Sequence, residues 1–115
     1  MIQIERAIEQ GEHTLSGLVI QWKKFADGFV MMLGRYQFNV EALNETYIKT
    51  ITLPISFPTP QEVAVTVTNV YLNRAICSWS ATMMSGNELR FDCKPDVAAT
   101  TGLILGCSFI LFGQT

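Results

Sequence analysis

Histidine is nearly absent from this chain, and its single copy, His13, sits in the stretch Gly11-Glu12-His13-Thr14. A Ser/His/acid or Cys/His catalytic arrangement would have to use it. No Gly-x-Ser-x-Gly elbow is present, however, and no cysteine lies in a nucleophile signature. Cysteine is scarce as well. Cys77, Cys93 and Cys107 are 16 and 14 residues apart with no Cys-x-x-Cys among them. An odd count at wide spacing argues against a zinc site or a disulfide framework and predicts three reduced thiols packed on strands as small hydrophobes.

Charge is low too: charged residues are 16% of the chain, well below the usual quarter, with a net charge of −2. Lysine and arginine are scattered singly except for Lys23-Lys24, so no basic footprint for a phosphate backbone exists and nucleic acid is not an expected partner. Long apolar runs are missing. Phe29 to Leu33 and Leu103 to Phe112 both fall far short of the ~20 residues a spanning helix needs, so no membrane insertion is expected. Met1 to Arg6 has no basic segment leading into an apolar one, which predicts no secretory leader and leaves the Asn44-Glu45-Thr46 acceptor pattern without consequence. Glu88, Asp92 and Asp96 lack the dense spacing of a calcium loop. Asp27, Glu41 and Glu45 sit with them at turns or solvent-facing positions, where the raised carboxyl pKa of a glycosidase acid is not expected. The chain reads as a non-enzyme without metal or cofactor.

What is abundant is apolar surface: 49% of residues are hydrophobic. A domain of 115 residues has one core and buries roughly two thirds of its unfolded surface. That composition exceeds what so small a monomer easily hides, so self-association is expected. Residues 1–12 read as an N-terminal segment, a short helical or extended piece or the end of a stem, with Ile4, Ala7 and Ile8 on one face if it is helical and Gly11 ending it. Residues 13–115 read as the β domain. Leu18 to Phe25 and Phe29 to Val40 are strands joined by the Asp27-Gly28 turn. From Tyr47 to Phe57, Ile51, Leu53, Ile55 and Phe57 alternate with Thr50, Thr52, Pro54 and Ser56, and Pro54 places this strand at an edge or ends its pairing there. Glu62 to Leu72, Ile76 to Met84, Glu88 to Cys93 and Leu103 to Phe112 complete an all-β, antiparallel, jelly-roll-like sandwich of about six to eight strands.

The last strand is apolar on both faces, which predicts a subunit interface on one of them or, alternatively, a central strand. Ile4, Ile8, Leu105, Phe109, Ile110 and Phe112 are the candidate interface residues. Ligand binding, if present, would use aromatic plates beside polar groups. Trp22, Arg35, Tyr36, Tyr71, Asn73, Arg74 and Trp79 are the candidates, with the Tyr71, Asn73 and Arg74 strand end the best placed; Tyr47 is the remaining aromatic considered.

The order of several short motifs carries a resemblance. Ile8-Glu9-Gln10-Gly11, then Gly17-Leu18-Val19-Ile20-Gln21-Trp22-Lys23-Lys24-Phe25-Ala26-Asp27-Gly28, then Gly34-Arg35-Tyr36, resembles the opening of the β-sandwich domains that end tail-fibre and baseplate proteins of bacteriophages and prophages. Ile51-Thr52-Leu53-Pro54-Ile55-Ser56-Phe57-Pro58 is similar to their Thr, apolar, Pro, apolar, Phe, Pro run, and Ile110-Leu111-Phe112-Gly113 to their last strand. One departure is Met32-Leu33, where those domains commonly place a Cys-Trp or similar aromatic before the glycine. The resemblance implies a homotrimeric receptor-binding module of a virion tail, assembled in the bacterial cytoplasm, with other tail proteins and a host-surface carbohydrate as partners. Its alternative is a purely structural virion part, such as a fibre, head decoration or baseplate subunit. An adhesin should leave at least two aromatics near an Arg or Asn on exposed loops, whereas a structural part should bury them.

Overall fold

The computed structural model describes residues 7–43, 45–70, 76–96 and 101–115. Eight strands follow one another: β1 (Ala7–Leu15), β2 (Leu18–Phe25), β3 (Phe29–Asn39), β4 (Tyr47–Thr52), β5 (Ala64–Val70), β6 (Cys77–Met83), β7 (Glu88–Pro95) and β8 (Ile104–Gln114), with one 3-10 turn at Pro60–Glu62. They form two antiparallel sheets. The larger has the order β1-β2-β3-β8-β5 and the smaller β4-β7-β6. The chain changes sheet between β3 and β4, β4 and β5, β5 and β6, and again between β7 and β8. These crossings wrap it in the jelly-roll manner expected from its spacing of strands.

Local chemistry explains the hairpins. At the β2–β3 turn Gly28 has φ 88°, a left-handed value that costs glycine little. Asp27 Oδ1 accepts the Phe29 amide at 2.9 Å, and the Gly28 amide donates to Phe25 O at 2.9 Å. The end of the chain locks onto the same turn, where the Thr115 amide and hydroxyl both donate to Gly28 O.

The sheets pack through alternate residues. Leu18, Ile20, Val30, Met32, Cys107, Phe109 and Leu111 of the large sheet meet Ile51, Leu53, Phe57, Leu89 and Phe91 of the small sheet and its extension. Phe91 lies at the centre, stacked on Tyr36 at 5.5 Å, edge-on to Trp79 at 6.1 Å and tilted against Phe109 at 5.4 Å. A β-carbon on Gly34 would come within 2.1 Å of the Phe109 ring, so the ring occupies the space that a side chain would take. A smaller cluster of Val40, Tyr47, Cys77, Cys93 and Leu105 fills one end.

The alternation of Ile51, Leu53 and Phe57 is buried as expected, and β4 is an edge strand that ends at Thr52, two residues before Pro54. Of the two alternatives for the N-terminal segment, helical and extended, the described residues take the extended one. Residues 7–10 belong to a strand, not a helix, and β1 runs across the boundary set between residues 12 and 13. No residue of β1 is buried, so its sequence carries no period-two apolar face to mark it as a strand. Its pairing with β2, from Glu9↔Lys24 to Leu15↔Leu18, sets its conformation. Ile4 lies outside the described residues.

Candidate functional site

The outward face of the five-stranded sheet carries the feature that the core does not use. In register, Leu33 lies directly across from Ile110 and Met31 from Phe112 on the β3–β8 pair. On β2, Gln21 faces Leu33, and Val19 faces Arg35. These side chains point away from the small sheet because their sequence neighbours point into the core. Val19 is 39% exposed, Leu33 47%, Ile110 41% and Phe112 38%. Phe29 stacks on Phe112 at 6.0 Å and contacts Phe25 at 6.1 Å, extending the apolar band to the Asp27-Gly28 end. Lys23, Gln21, Arg35, Ser108 and Thr66 border it, all polar and none acidic. The band thus occupies the middle of a sheet, with a polar rim, the distribution that interfaces adopt.

The expected interface residues divide between two surfaces. Ile110 and Phe112 lie on this band, and Ile8 is exposed on β1. Leu105 and Phe109 do not join them: at 1% and 2% exposure they are core. Odd residues of β8 face inward and even ones outward, so the four residues Leu105, Phe109, Ile110 and Phe112 cannot share one surface.

The candidate ligand aromatics lie partly within the packing of the sandwich. Trp79 is half-buried, donating its indole N–H to Asn69 Oδ1 at 2.8 Å and meeting Phe38 and Phe91 edge-on. Tyr36 is half-buried against Phe91. Burial pushes its phenol pKa above the ordinary value, and the neighbouring Cys107 adds to that. Trp22 is half-buried on the core cluster, its indole covering the space above Gly11. Tyr47 is buried. Packing holds each of these rings, and Trp22 also lines a cleft of about 470 Å³ with Gln10, Glu12, Gln21 and Lys23. Arg35 is exposed on the outer face. Tyr71, Asn73 and Arg74 lie outside the described residues. One cleft of about 310 Å³ does gather Arg35, Tyr36 and Gln37 with Val19 and Val70 at the end of the large sheet.

The three cysteines are free and buried. Desolvation raises all three thiol pKa values, and that of Cys107 is pushed up to about 12. They are protonated at neutral pH and poor nucleophiles. A thiol reagent should therefore label none of them in the folded chain and all three after unfolding in urea, which absorbance of the released leaving group reads directly. The linkage has a definite sign. Unfolded thiols ionise near 8.5 while the folded ones keep their protons, so this contribution to stability is whole below about pH 8.5. It is lost as pH climbs towards the folded value of about 12 for Cys107. The urea midpoint should fall over that alkaline range, and less steeply in Cys107→Ala.

The fold and this surface define the class: an antiparallel, jelly-roll-like β-sandwich with an apolar band across the outer face of its larger sheet. Comparison with family models, curated proteins and solved structures finds no match to the chain. Among the described residues no helix is long and apolar enough to cross a membrane, and no group of three or more His, Cys, Asp or Glu is placed to hold a metal ion.

Proposed function

We propose that this chain is a structural, self-associating sandwich of the phage or prophage tail kind, a fibre or baseplate part that assembles through the outer face of its large sheet. The observation that carries this reading is the band of Val19, Met31, Leu33, Ile110 and Phe112 at the middle of a sheet with no core left to cover it. The order of the sequence motifs supplies the tail setting, including the location in a virion, and the trimer is the closed form that resemblance implies. The candidate ligand aromatics Trp22, Tyr36 and Trp79 pack against the core, which favours the structural role over the adhesin. A host-glycan-binding role is the second reading, supported by the cleft that brings Arg35, Tyr36 and Gln37 together.

Light scattering of the full chain tests the first reading. Between about 10 and 100 µM the expected mass is an integral multiple of the chain, above one copy. A monodisperse single copy at the higher concentration overturns it. Glycan-array binding that is lost in Arg35→Ala, with mass unchanged, would instead support the cleft.

A further inference from the structure

Among the described residues no strand pairs with the outer edge of β1, which offers a second contact, separate from the outer face. Its geometry follows from one hydrogen bond. The Gln37 amide donates to Gly17 O at 2.8 Å, one step beyond the Leu18↔Tyr36 pair. Ladder bonds alternate, so odd residues of β2 bond to β3 and even ones to β1. Through the register of β1 with β2, residues 9, 11, 13 and 15 therefore spend their backbone groups on β2. Residues 10, 12 and 14 aim theirs outward along the edge of the sheet.

Exposed edges are usually guarded by lysine, proline or a bulge. Of the two edge strands of the small sheet, β4 follows that rule, with Lys49 within it and Pro54 just past its end, whereas β6 has neither residue between Cys77 and Met83. From Glu9 to Leu15, β1 has neither lysine nor proline, its only charged side chains are Glu9 and Glu12, and the irregularity in its pairing falls between Ala7 and Glu9, at the far end. None of its residues is buried.

We infer that β1 pairs antiparallel with β1 of a second copy about a two-fold axis at Gly11, joining two five-stranded sheets into one. The outward groups of residues 10, 12 and 14 must meet outward groups, which limits the register to every second position. Centring on Glu12 sets the two Glu12 side chains directly opposite, a repulsive pair. Centring on Gln10 sets Glu12 against Ile8 and Glu9 against Gly11, with no partner for either carboxylate. Centring on Gly11 pairs Gln10 with Glu12 through the backbone and faces each Glu9 carboxylate with the N–H of the partner copy's His13. Of these three registers, this one alone sets each carboxylate opposite a hydrogen-bond donor, which is why a second copy is the occupant. It also keeps both apolar bands on the same side of the joined sheet, so it is compatible with the outer-face contact and independent of it.

The test uses the full chain carrying Ile110→Asp, which removes the outer-face contact. Light scattering at about 100 µM should give two copies, and adding Glu12→Pro should give one, because proline there removes an outward donor and no bond to β2. Exchange of the Gln10 and Thr14 amides should be slow in the first variant and fast in the second. Glu9→Lys should weaken the pairing about tenfold and Glu9→Lys with His13→Glu should restore it, a result indifferent to any fold damage by the proline. A single copy for Ile110→Asp, or free exchange at Gln10 and Thr14, overturns the edge pairing and leaves the outer-face reading standing. A wild-type mass for Ile110→Asp overturns the outer-face reading, and the edge is then judged by the Gln10 and Thr14 amides and by the charge swap in the wild-type background.

Discussion

Ile110→Asp should break the outer-face assembly while leaving the chain folded. Ile110 is 41% exposed in the single chain and lies opposite Leu33 and Thr66, away from the core. In a separate copy the carboxylate stays in water, so stability should change by about 0.5 kcal/mol or less, as at ordinary surface positions. In an apolar interface the same charge is buried without a partner, a cost of about 3–5 kcal/mol. The dissociation constant of that contact should rise at least 100-fold. Sedimentation velocity reads the loss of mass, and circular dichroism with a urea midpoint near wild type shows that the sandwich is intact. If the variant unfolds with no change in mass, that side chain belongs to the core and the band is not an interface.

Phe91→Ala should have the largest effect on the fold itself. The ring is fully buried and touches Tyr36, Trp79 and Phe109, so its removal loses apolar burial and opens a cavity that both sheets line. Such truncations cost about 3–5 kcal/mol, a large fraction of the ~5–15 kcal/mol that holds a domain of this kind together. Urea denaturation followed by tryptophan fluorescence would measure it, with Trp79 as the local reporter. A loss below about 1 kcal/mol would mean that the sheets close over the gap and that Phe91 is not the keystone of the packing.

The strands were legible where one face is buried and the other wet. Tyr47 to Phe57 and Glu88 to Cys93 alternate cleanly, and their inward residues Ile51, Leu53, Phe57, Leu89, Phe91 and Cys93 are buried. β1 was not legible, because an edge strand buried on neither face shows no alternation, and Ile4, Ala7 and Ile8 chance to lie at helical spacing. The aromatics were legible as a set but not in their roles. Whether Trp79 is a platform or a wall depends on Asn69 and Phe91 reaching it, from different strands.

The last strand shows where the division falls. That Leu103 to Phe112 is apolar on both faces, in a chain with 49% hydrophobic residues and little charge, follows from the sequence alone. Which face is the core was decided only when β8 took its place between β3 and β5 and the small sheet covered one side. Side-chain alternation makes the two faces separate but does not rank them. The rank comes from long-range packing, which set Leu105 and Phe109 inside and left Ile110 and Phe112 exposed on the outer face.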